Sequence, residues 1–283
     1  MKSRKTNSKD LSVQEPTEDL TVEFSASRFI NGAIEPRIIS LAREIPYTLF
    51  VNDLEVLSIA VLPTHLDELC MGFLVSEGVL KSPKEVEDCF VDHGNRIVRT
   101  YLDVPAERIE RLEGKGMLTS GCAGGLVFSV ESASVLPRRD LEPLKLSCAD
   151  ILGRMKELDT FDGIYRVTRG VHAASVATKS QTLVIREDLG RHNAVDKIVG
   201  HCFLKGLDTK KKLLLTTGRI TSEVLTKTAR GGFPVIISRS SASALAVSMA
   251  GQSGIDVITY VRAGRFNYFS HGATVLNDDR RAK

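Results

Sequence analysis

Residues 182–204 read TLVIREDLGRHNAVDKIVGHCFL. The segment opens with an apolar, β-branched run that ends in charged residues, which is typical of a buried strand. It continues with Val195, Ile198, Val199 and Cys202, whose three- and four-residue spacing predicts the apolar face of a helix. A strand, a short polar turn and a helix form the repeating unit of an α/β sheet, so this stretch decides the fold class.

The same alternation of strand and helix continues on both sides of that stretch. Upstream, we predict a helix over about 149–158 and a strand in YRVTRGVHAASVAT, 165–178. Downstream, the predicted strands are LLLTTGR (213–219), PVIISRS (234–240) and DVITYVR (256–262). The predicted helices between them are TSEVLTKTARGG (221–232) and SASALAVSMAGQSG (241–254). This half is therefore predicted to form a three-layer α/β sheet that is at least partly parallel.

The N-terminal half has the pattern of a smaller α+β domain. Alternating segments predict strands in VEFSASRFI (22–30), YTLFVND (47–53), VLSIAVL (56–62), CFVDHG (89–94) and RIVRTYLDV (96–104). A hairpin turn is predicted at Val51-Asn52-Asp53. Thr64 is predicted to cap a helix that ends at Gly78 in a left-handed conformation. Residues 1–20 are predicted to be a flexible tail, 21–115 the α+β domain and 116–283 the α/β domain.

Composition excludes several classes of protein. The chain has 283 residues, of which 42% are hydrophobic, and no apolar run reaches the roughly 18–20 residues that span a bilayer. Its first residues, MKSRKTNSKD, are not followed by an apolar segment, so no secretory signal is predicted. Five cysteines with no CxxC spacing do not form a disulfide framework. We expect a cytoplasmic protein without a membrane segment.

The net charge of +3 conceals an asymmetry along the chain. Residues 211–283 contain eleven Lys and Arg against four Asp and Glu, which leaves the preceding 210 residues with a net charge of −4. A cationic C-terminal quarter indicates an anionic partner, for which nucleic acid and a phosphate-bearing small molecule are both candidates.

Polar turns containing arginine follow four successive predicted strands. These turns contain Arg186, Arg219, Ser238-Arg239-Ser240, and Arg262 with Arg265. Because the carboxyl ends of parallel strands meet at one edge of a sheet, we expect an anion site there. Any one of these turns is better explained by ordinary turn residues and solvated arginines, but the coincidence of four of them on one sheet edge favours a site. Neither GxGxxG after a strand nor GxxxxGK[ST] occurs, so a nucleotide-hydrolase or hydride-transfer function has little support.

Cys122 differs from the other cysteines because Gly121, Gly124 and Gly125 surround it. An exposed thiol in a mobile loop suits a nucleophile that must meet a second large molecule, although a simple glycine-rich turn is the alternative. Cys70, Cys89, Cys148 and Cys202 are predicted to be packing residues.

The histidines and the acidic pair leave their roles open. His172 and His192 are candidates for a proton shuttle, an anion donor or a structural residue. Glu187 and Asp188 precede a predicted helix and either cap it or bind a purine or ribose group. Sequence spacing predicts no metal site.

Three segments resemble the FdhD family of formate dehydrogenase accessory sulfurtransferases. They are REDLGRHNAVDKIVG, TTGRITSEVLTKTARGGFPVIISRSSASALAV and YVRAGRFNYFS, within a likeness over roughly residues 25–275. The resemblance implies a cytidine-deaminase-like three-layer C-terminal domain and a smaller N-terminal domain. It also implies that persulfide sulfur passes from a cysteine desulfurase to the molybdenum (or tungsten) bis(molybdopterin guanine dinucleotide) cofactor, a step that formate dehydrogenase requires for activity.

Site residues follow from the same resemblance. The persulfide cysteine of the family corresponds to Cys122, and its cofactor-binding stretch corresponds to Tyr260, Val261, Arg262, Ala263, Gly264 and Arg265. To these we add Arg219, Ser238, Arg239, Ser240 and His192 as cofactor-binding candidates from the strand-end argument. Many relatives carry CxxC in the loop, but here Gly125 takes the place of the second cysteine. A two-cysteine relay within the loop is therefore excluded.

Zinc is not expected as a cofactor. The zinc deaminase signature is HxE followed by PCxxC, whereas this chain has His172-Ala173-Ala174 and no PCxxC. The expected partners are a cysteine desulfurase and the catalytic subunit of formate dehydrogenase, with no nucleic acid or membrane and with a homodimer left open. A non-covalent cofactor-binding chaperone remains the alternative to the sulfurtransferase.

Overall fold

The computed structural model describes residues 19–112, 117–118 and 143–277. The strands are β1 Thr21–Ile30, β2 Ala33–Ala42, β3 Ile45–Val51, β4 Leu54–Val61, β5 Val86–Asp92, β6 Ile97–Leu102, β7 Met117–Leu118, β8 Leu144–Ser147, β9 His172–Ala177, β10 Thr182–Asp188, β11 Leu213–Thr216, β12 Val235–Ser238, β13 Asp256–Arg262, β14 Arg265–Phe269 and β15 Thr274–Asn277. The helices are α1 Leu66–Ser76, α2 Ala106–Glu110, α3 Cys148–Asp159, α4 Ile164–Thr168, α5 Arg191–Leu204, α6 Ser222–Arg230 and α7 Ala244–Ser253, with a 3-10 turn at Pro83–Glu85.

A six-stranded mixed sheet organises the C-terminal half in the order β10-β9-β11-β12-β13-β14. Strand β9 is antiparallel to both β10 and β11, and β11, β12 and β13 pair in parallel. It follows that β10, β11, β12 and β13 all run in the same direction, which confirms the partly parallel sheet. The strand-then-helix reading of residues 182–204 is also confirmed, as β10 followed by α5.

Alternate residues of this sheet enter two separate hydrophobic clusters. Leu214 belongs to the cluster that contains residues of α5, α6 and α7, whereas its neighbours Leu213 and Leu215 belong to the cluster that contains residues of α3. Because side chains alternate between the faces of a strand, the two clusters lie on opposite faces. The half therefore has three layers, as predicted, while its likeness to cytidine deaminases remains a prediction.

A five-stranded sheet in the order β5-β6-β3-β4-β7 forms the N-terminal half. Asn52 and Asp53 have φ values of 46° and 65° in the tight turn between β3 and β4. Positive φ at both central residues is characteristic of a type I′ hairpin turn, and the turn predicted here is confirmed. Gly78, with φ of +76°, follows α1 in the left-handed conformation that was predicted for it.

Helices α1 and α5 join the two halves through a glycine contact. A Cβ added at Gly72 of α1 would lie 1.8 Å from the Asp196 carbonyl oxygen, and one added at Gly200 of α5 would lie 1.8 Å from the Glu68 carbonyl oxygen. The two backbones thus touch where only glycine fits. One hydrophobic cluster extends across this contact, from Ile45 in β3 to Val257 in β13. The domain boundaries at 20 and 115 stay a prediction.

Two local predictions were wrong. Helix α1 is not capped by Thr64, because His65 occupies the N-cap with φ of 50° and makes no side-chain capping bond. The Thr64 hydroxyl instead lies 3.5 Å from Lys197 Nζ. Residues 165–178 are not one strand, because their first part forms α4. The Glu187 carboxylate accepts hydrogen bonds from the Ile164 and Tyr165 amides at 2.7 and 3.0 Å, which stabilises the N-terminus of this short helix.

Strands β1 and β2 form a separate two-stranded antiparallel hairpin, which we call the arm. Its turn lies at Asn31 and Gly32, both with positive φ. Among the described elements, α4 packs against β2 near the base of the arm.

Replacing Gly200 by alanine is expected to lower the free energy of unfolding by at least about 3 kcal/mol, because the methyl group overlaps backbone that side-chain motion does not relieve. Gly153→Ala is the matched control, since Gly153 also lies in a helix but has open space at its Cβ. That control should be neutral or stabilising by up to about 1 kcal/mol. Urea unfolding monitored by circular dichroism measures both, and equal stability of the two variants would contradict the close contact.

Candidate functional site: an arginine-lined cleft

The loops after β10, β11, β12 and β13 meet at one edge of the six-stranded sheet, because these strands run in the same direction. A cleft of about 470 Å³ opens at this edge. Its lining consists of Tyr165, Arg169, Gly170, Val171, His172, Leu189, Thr217, Arg239, Ser240, Tyr260 and Arg262. The predicted convergence of the strand ends is therefore confirmed.

Two guanidinium groups of the cleft each lie against a tyrosine ring of the cleft. The guanidinium of Arg169 lies 5.0 Å from the centre of the Tyr165 ring, and that of Arg262 lies 5.7 Å from the centre of the Tyr260 ring. Both distances suit cation–π contacts, which hold each arginine against an aromatic face. Arg239 is held differently, by an ion pair with Asp159 at 3.2 Å that leaves 42% of its side chain exposed. Burial raises the pKa of Asp159, and the charge of Arg239 opposes this rise.

Residues 260–265 form a bulge and a tight turn, and these direct some of their side chains into the cleft lining and others away from it. The Tyr260 amide donates to the Ser240 carbonyl oxygen at 2.9 Å, and the pairing of β13 with β14 shifts register between Thr259 and Arg262. Tyr260 itself has φ of 55°, an uncommon value for a side chain of this size. The irregularity places Tyr260 and Arg262 in the cleft lining while Val261 between them is buried.

The remainder of this predicted segment does not line the cleft. Ala263 and Gly264 form the turn between β13 and β14 with φ values of 49° and 74°. Arg265 begins β14, is exposed, and is absent from the cleft lining. Of the six residues predicted to bind cofactor here, two line the cleft.

The serines after β12 have different positions. Ser238 is fully buried, donates to the Gly218 carbonyl oxygen at 2.6 Å and accepts from the Ser240 amide at 2.9 Å. It therefore ties the loop after β12 to the loop after β11, while Ser240 and Arg239 reach the cleft. Arg219 is exposed and lies outside the lining residues.

His172 lies in the cleft and His192 beside it. Burial lowers the pKa of His172, and the positive charges of Arg191 and Arg219 lower it further, so the neutral form of the ring is favoured. His192 Nδ1 is 3.0 Å from Glu223 Oε2, a contact that keeps the pKa of this carboxyl below its ordinary value although burial raises it. His192 is thus paired within the protein rather than placed in the lining.

The acidic pair acts inside the protein. Glu187 binds the N-terminus of α4, and Asp188 Oδ1 accepts hydrogen bonds from the Gly190 amide at 3.1 Å and from Asn193 Nδ2 at 2.8 Å. Neither residue caps α5, the helix that they precede, because its N-cap Gly190 has no side-chain capping bond. Glu187 instead caps α4, and the purine or ribose alternative stays a prediction.

The structure also places Tyr165 of α4 and Arg169, which directly follows α4, in the cleft. Strand-end reasoning missed these two because α4 does not belong to the sheet. Thr217, which also lines the cleft, lies in the predicted turn after β11.

Cys122 lies outside the described residues. Cys70 and Cys202 are buried in the core, as predicted, and burial raises the pKa of Cys202 to about 12. Cys89 packs partly buried against the core, and Cys148 begins α3. Within the described ranges, no group of three or more His, Cys, Asp or Glu side chains is arranged to hold a metal ion.

Arg186, one of the four predicted strand-end arginines, is engaged by a glutamate instead of facing the cleft. The Glu68 carboxylate accepts hydrogen bonds from Arg186 Nε at 2.5 Å and from Arg186 Nη2 at 2.8 Å. It also lies 2.8 Å from His201 Nδ1. Burial alone would raise the pKa of Glu68, but the hydrogen bonds from Arg186 and His201 lower it to about 2.

Because the pKa of Glu68 is depressed in the folded state, its contribution to stability is complete above about pH 4.5 and is lost as the pH falls toward 2. Between pH 4.5 and 3, we expect the free energy of unfolding of the native chain to fall by about 2 kcal/mol more than that of Glu68→Gln. Urea unfolding at several pH values measures the difference. The exposed Glu107 on α2 provides the control substitution, Glu107→Gln, which should follow the native curve. A difference in unfolding free energy between Glu68→Gln and the native protein that does not change with pH would contradict the lowered pKa of Glu68.

Comparison with known proteins identifies the family of the chain. The FdhD/NarQ family model matches residues 42–276. The chain is 34% identical over 244 residues to the sulfur carrier protein FdhD of Bacillus subtilis (strain 168), covering 86% of this chain and 93% of the relative. It is 29% identical over 262 residues to the sulfur carrier protein FdhD of Staphylococcus aureus (strain JH9), covering 93% and 99%.

A solved structure is similar over nearly the same span. The crystal structure of a Desulfotalea psychrophila protein assigned as a formate dehydrogenase accessory protein has a TM-score of 0.73 and 29% sequence identity. The match covers 89% of this chain and 97% of that one. Sequence and structure thus lead to one conclusion: the chain belongs to the FdhD/NarQ family.

Proposed function

We propose that this protein is a sulfur carrier for the maturation of formate dehydrogenase. In this proposal, Cys122 receives sulfur from a cysteine desulfurase and passes it to the molybdenum bis(molybdopterin guanine dinucleotide) cofactor, which is the substrate. The observation that carries the proposal is the cleft lined by Arg169, Arg239 and Arg262 in a chain whose relatives are named sulfur carrier proteins.

The size and lining of the cleft favour a small anionic substrate. A volume of about 470 Å³ falls within the ordinary range of small-molecule sites, whereas a nucleic-acid duplex needs an extended basic surface. Guanidinium groups bind phosphate oxygens through paired hydrogen bonds. The tyrosine rings at Tyr165 and Tyr260 offer flat apolar faces on which a guanine base can stack. A guanine nucleotide with its diphosphate combines both properties.

Two further features beside the cleft support an anion. Leu189 lines the cleft and is followed by Gly190, the N-cap of α5, which makes no side-chain capping bond. The free amides at a helix N-terminus attract negative charge. Arg191 lies two residues after Leu189 and outside the lining, and its buried Nε has no hydrogen-bond partner among the described residues, so this helix N-terminus carries a second donor.

The chemistry at Cys122 requires no outside oxidant. The Cys122 thiolate attacks the outer sulfur of a desulfurase cysteine persulfide, so that a new sulfur–sulfur bond forms on Cys122 and the donor cysteine leaves as a thiolate. In the second step the outer sulfur passes to the metal of the substrate as sulfide and Cys122 returns to a thiolate. The two electrons for that step come from the reduced metal. Because Gly125 replaces the second cysteine of the loop, Cys122 would carry the sulfur alone.

The second candidate function is a cofactor chaperone that binds the same substrate and formate dehydrogenase without covalent chemistry. The observation that favours it is Gly125, which stands where the CxxC pattern of the family resemblance would have its second cysteine. Both functions use the same cleft, and only the sulfur step separates them.

Localisation and fold ancestry belong to the same proposal. We infer a cytoplasmic protein whose C-terminal half is related to cytidine deaminases in fold but not in zinc chemistry. The strand order with β9 antiparallel to its neighbours supports the fold relationship. None of the helices in the described ranges combines the length and apolarity that crossing a bilayer requires.

Guanosine diphosphate is expected to bind in the cleft and to bind at least about 10-fold more weakly to Arg239→Ala and to Arg262→Ala, because each loses a charge-assisted contact worth roughly 1.5–3 kcal/mol. Isothermal titration calorimetry measures the affinity. Arg99→Ala is the matched control, because Arg99 lies on β6 of the N-terminal sheet, pairs with Asp53 and does not line the cleft. Equal affinities for all variants would place the nucleotide elsewhere.

Incubation with a cysteine desulfurase and free cysteine is expected to add one sulfur atom to the peptide that contains Cys122. Mass spectrometry of the digested protein, without reductant, detects the gain. Cys122→Ala should lack it and should fail to activate formate dehydrogenase, whereas Cys148→Ala should behave as the native chain does. Activation by Cys122→Ala without any persulfide would favour the chaperone over the sulfur carrier.

A further inference from the structure

An imidazole lies among the arginines of the cleft. The lining that the structure describes contains three arginines and one histidine, His172, and no aspartate or glutamate. His172 is the first residue of β9, the strand between β10 and β11. Guanidinium groups nearby disfavour a positive charge on an imidazole ring when no carboxylate of the lining offsets them. The charge state of His172 therefore depends on what occupies the cleft.

Thr217 determines which ring nitrogen of His172 carries the proton when the ring is neutral. The Thr217 hydroxyl accepts a hydrogen bond from the Ala173 amide at 3.0 Å and donates one to the Ala173 carbonyl oxygen at 3.4 Å. The same hydroxyl oxygen lies 3.4 Å from His172 Nδ1. Because the single hydrogen of the hydroxyl is used at the carbonyl oxygen, Nδ1 is the donor in this contact. The neutral ring thus holds its proton on Nδ1.

The other ring nitrogen of His172, Nε2, is left to the cleft. It has no hydrogen-bond partner among the described residues, and it is not one of their buried unpartnered atoms, so solvent in the cleft reaches it. In the neutral ring this atom presents a lone pair, which repels the oxygen of an anion. A protonated Nε2 instead donates a hydrogen bond to that oxygen and adds the attraction of opposite charges.

Charged groups from several elements surround the His172 ring. Burial is the largest cause that lowers its pKa, and the charges of Arg191 at the start of α5 and Arg219 after β11 lower it further. A protonated His192 acts in the same direction, whereas the carboxylate of Asp188 opposes it. The other charged or titratable side chains of the lining are Tyr165, Arg169, Arg239, Tyr260 and Arg262. In the empty cleft, positive charge therefore outweighs negative charge around this ring.

A bound diphosphate reverses this balance. The diphosphate of a molybdopterin guanine dinucleotide is esterified at both ends, so it carries roughly two negative charges and lacks the terminal phosphate group that would titrate near pH 6. Its negative charge offsets the arginines and favours the protonated form of an adjacent imidazole. Since the diphosphate has no proton to give, the proton that reaches His172 comes from solvent.

We propose that His172 is a further anion-binding residue of the cleft and that it binds in its protonated form. The ring takes up a proton at Nε2 as the diphosphate enters, and Nε2 donates a hydrogen bond to a phosphate oxygen. The proton returns to solvent when the ligand leaves. Affinity for the ligand therefore increases as the pH falls. This inference rests on the proposed function, because it requires a diphosphate in the cleft.

Isothermal titration calorimetry with guanosine diphosphate mannose tests the coupling, because the diphosphate of this probe is also esterified at both ends. Titrations in buffers of different ionisation enthalpy give the number of protons taken up per bound ligand. We expect an uptake of at least about 0.3 proton at pH 6.5 and an affinity that falls at least about 4-fold between pH 6 and 8. His172→Gln has a polar side chain that does not titrate, so it should bind without this uptake and without this pH dependence.

Two other histidines provide the controls. His93 follows β5 in the N-terminal half, and His192 lies beside the cleft in contact with Glu223, but neither belongs to the lining. His93→Gln and His192→Gln should both keep the native proton uptake. Uptake that persists in His172→Gln, or that is lost in His192→Gln alone, overturns the inference.

A measurement on the native chain makes the test independent of how well the variants fold. The ring signals of His172 in nuclear magnetic resonance should move toward their protonated position when the probe saturates the protein at pH 6.5. Binding of the probe with no proton uptake and no such movement overturns the inference and leaves the proposed function in place. If the native chain does not bind the probe, both are overturned.

Discussion

A single buried ion pair between Lys197 and Asp188 holds the parts of the molecule that define the cleft. Both side chains are completely buried, and Lys197 Nζ lies 2.7 Å from Asp188 Oδ2. The same ammonium group donates to the Leu62 and Glu187 carbonyl oxygens at 3.0 and 3.1 Å, so the charge is satisfied on every side. A buried charge is tolerated only with such partners. The end of β10, the start of α5 and the chain after β4 are thereby held at one point.

A second buried pair extends this arrangement to the neighbouring helices. Lys227 of α6 contacts Asp196 of α5 at 2.7 Å, and Asp196 also accepts a hydrogen bond from Ser76 of α1 at 2.8 Å. Burial raises the pKa of Asp196, and the positive charge of Lys227 opposes this rise. With the glycine contact between α1 and α5, these bonds attach the N-terminal sheet to the α/β half. The arginine-bearing loops therefore extend from two packed sheets and the helices between them, a support that holds functional side chains in fixed positions.

Local sequence was sufficient wherever a short-range rule determines structure. Hydrophobic periodicity identified β10 and α5, Asn52 and Asp53 indicated the hairpin turn, and the strand ends indicated the edge that carries the cleft. It was insufficient where the deciding partner is distant in the chain. The Thr64 hydroxyl faces Lys197, 133 residues away, and α4 depends on Glu187, 23 residues after Ile164. Likewise, the sequence shows an arginine at each strand end, but tertiary packing directs Arg186 to Glu68 and Arg239 to the cleft.

The glycine contact between α1 and α5 also has a consequence for how the chain is made. Ser76 and its partner Asp196 are 120 residues apart, so α1 leaves the ribosome long before the helix that covers its glycine face. At about 5–20 residues per second, the wait is roughly 6–24 s. Throughout that interval, α1 and the N-terminal sheet lack the helix that packs against them, because α5 has not yet been made. The final packing of the N-terminal sheet must therefore await the last third of synthesis, in which α5 is made.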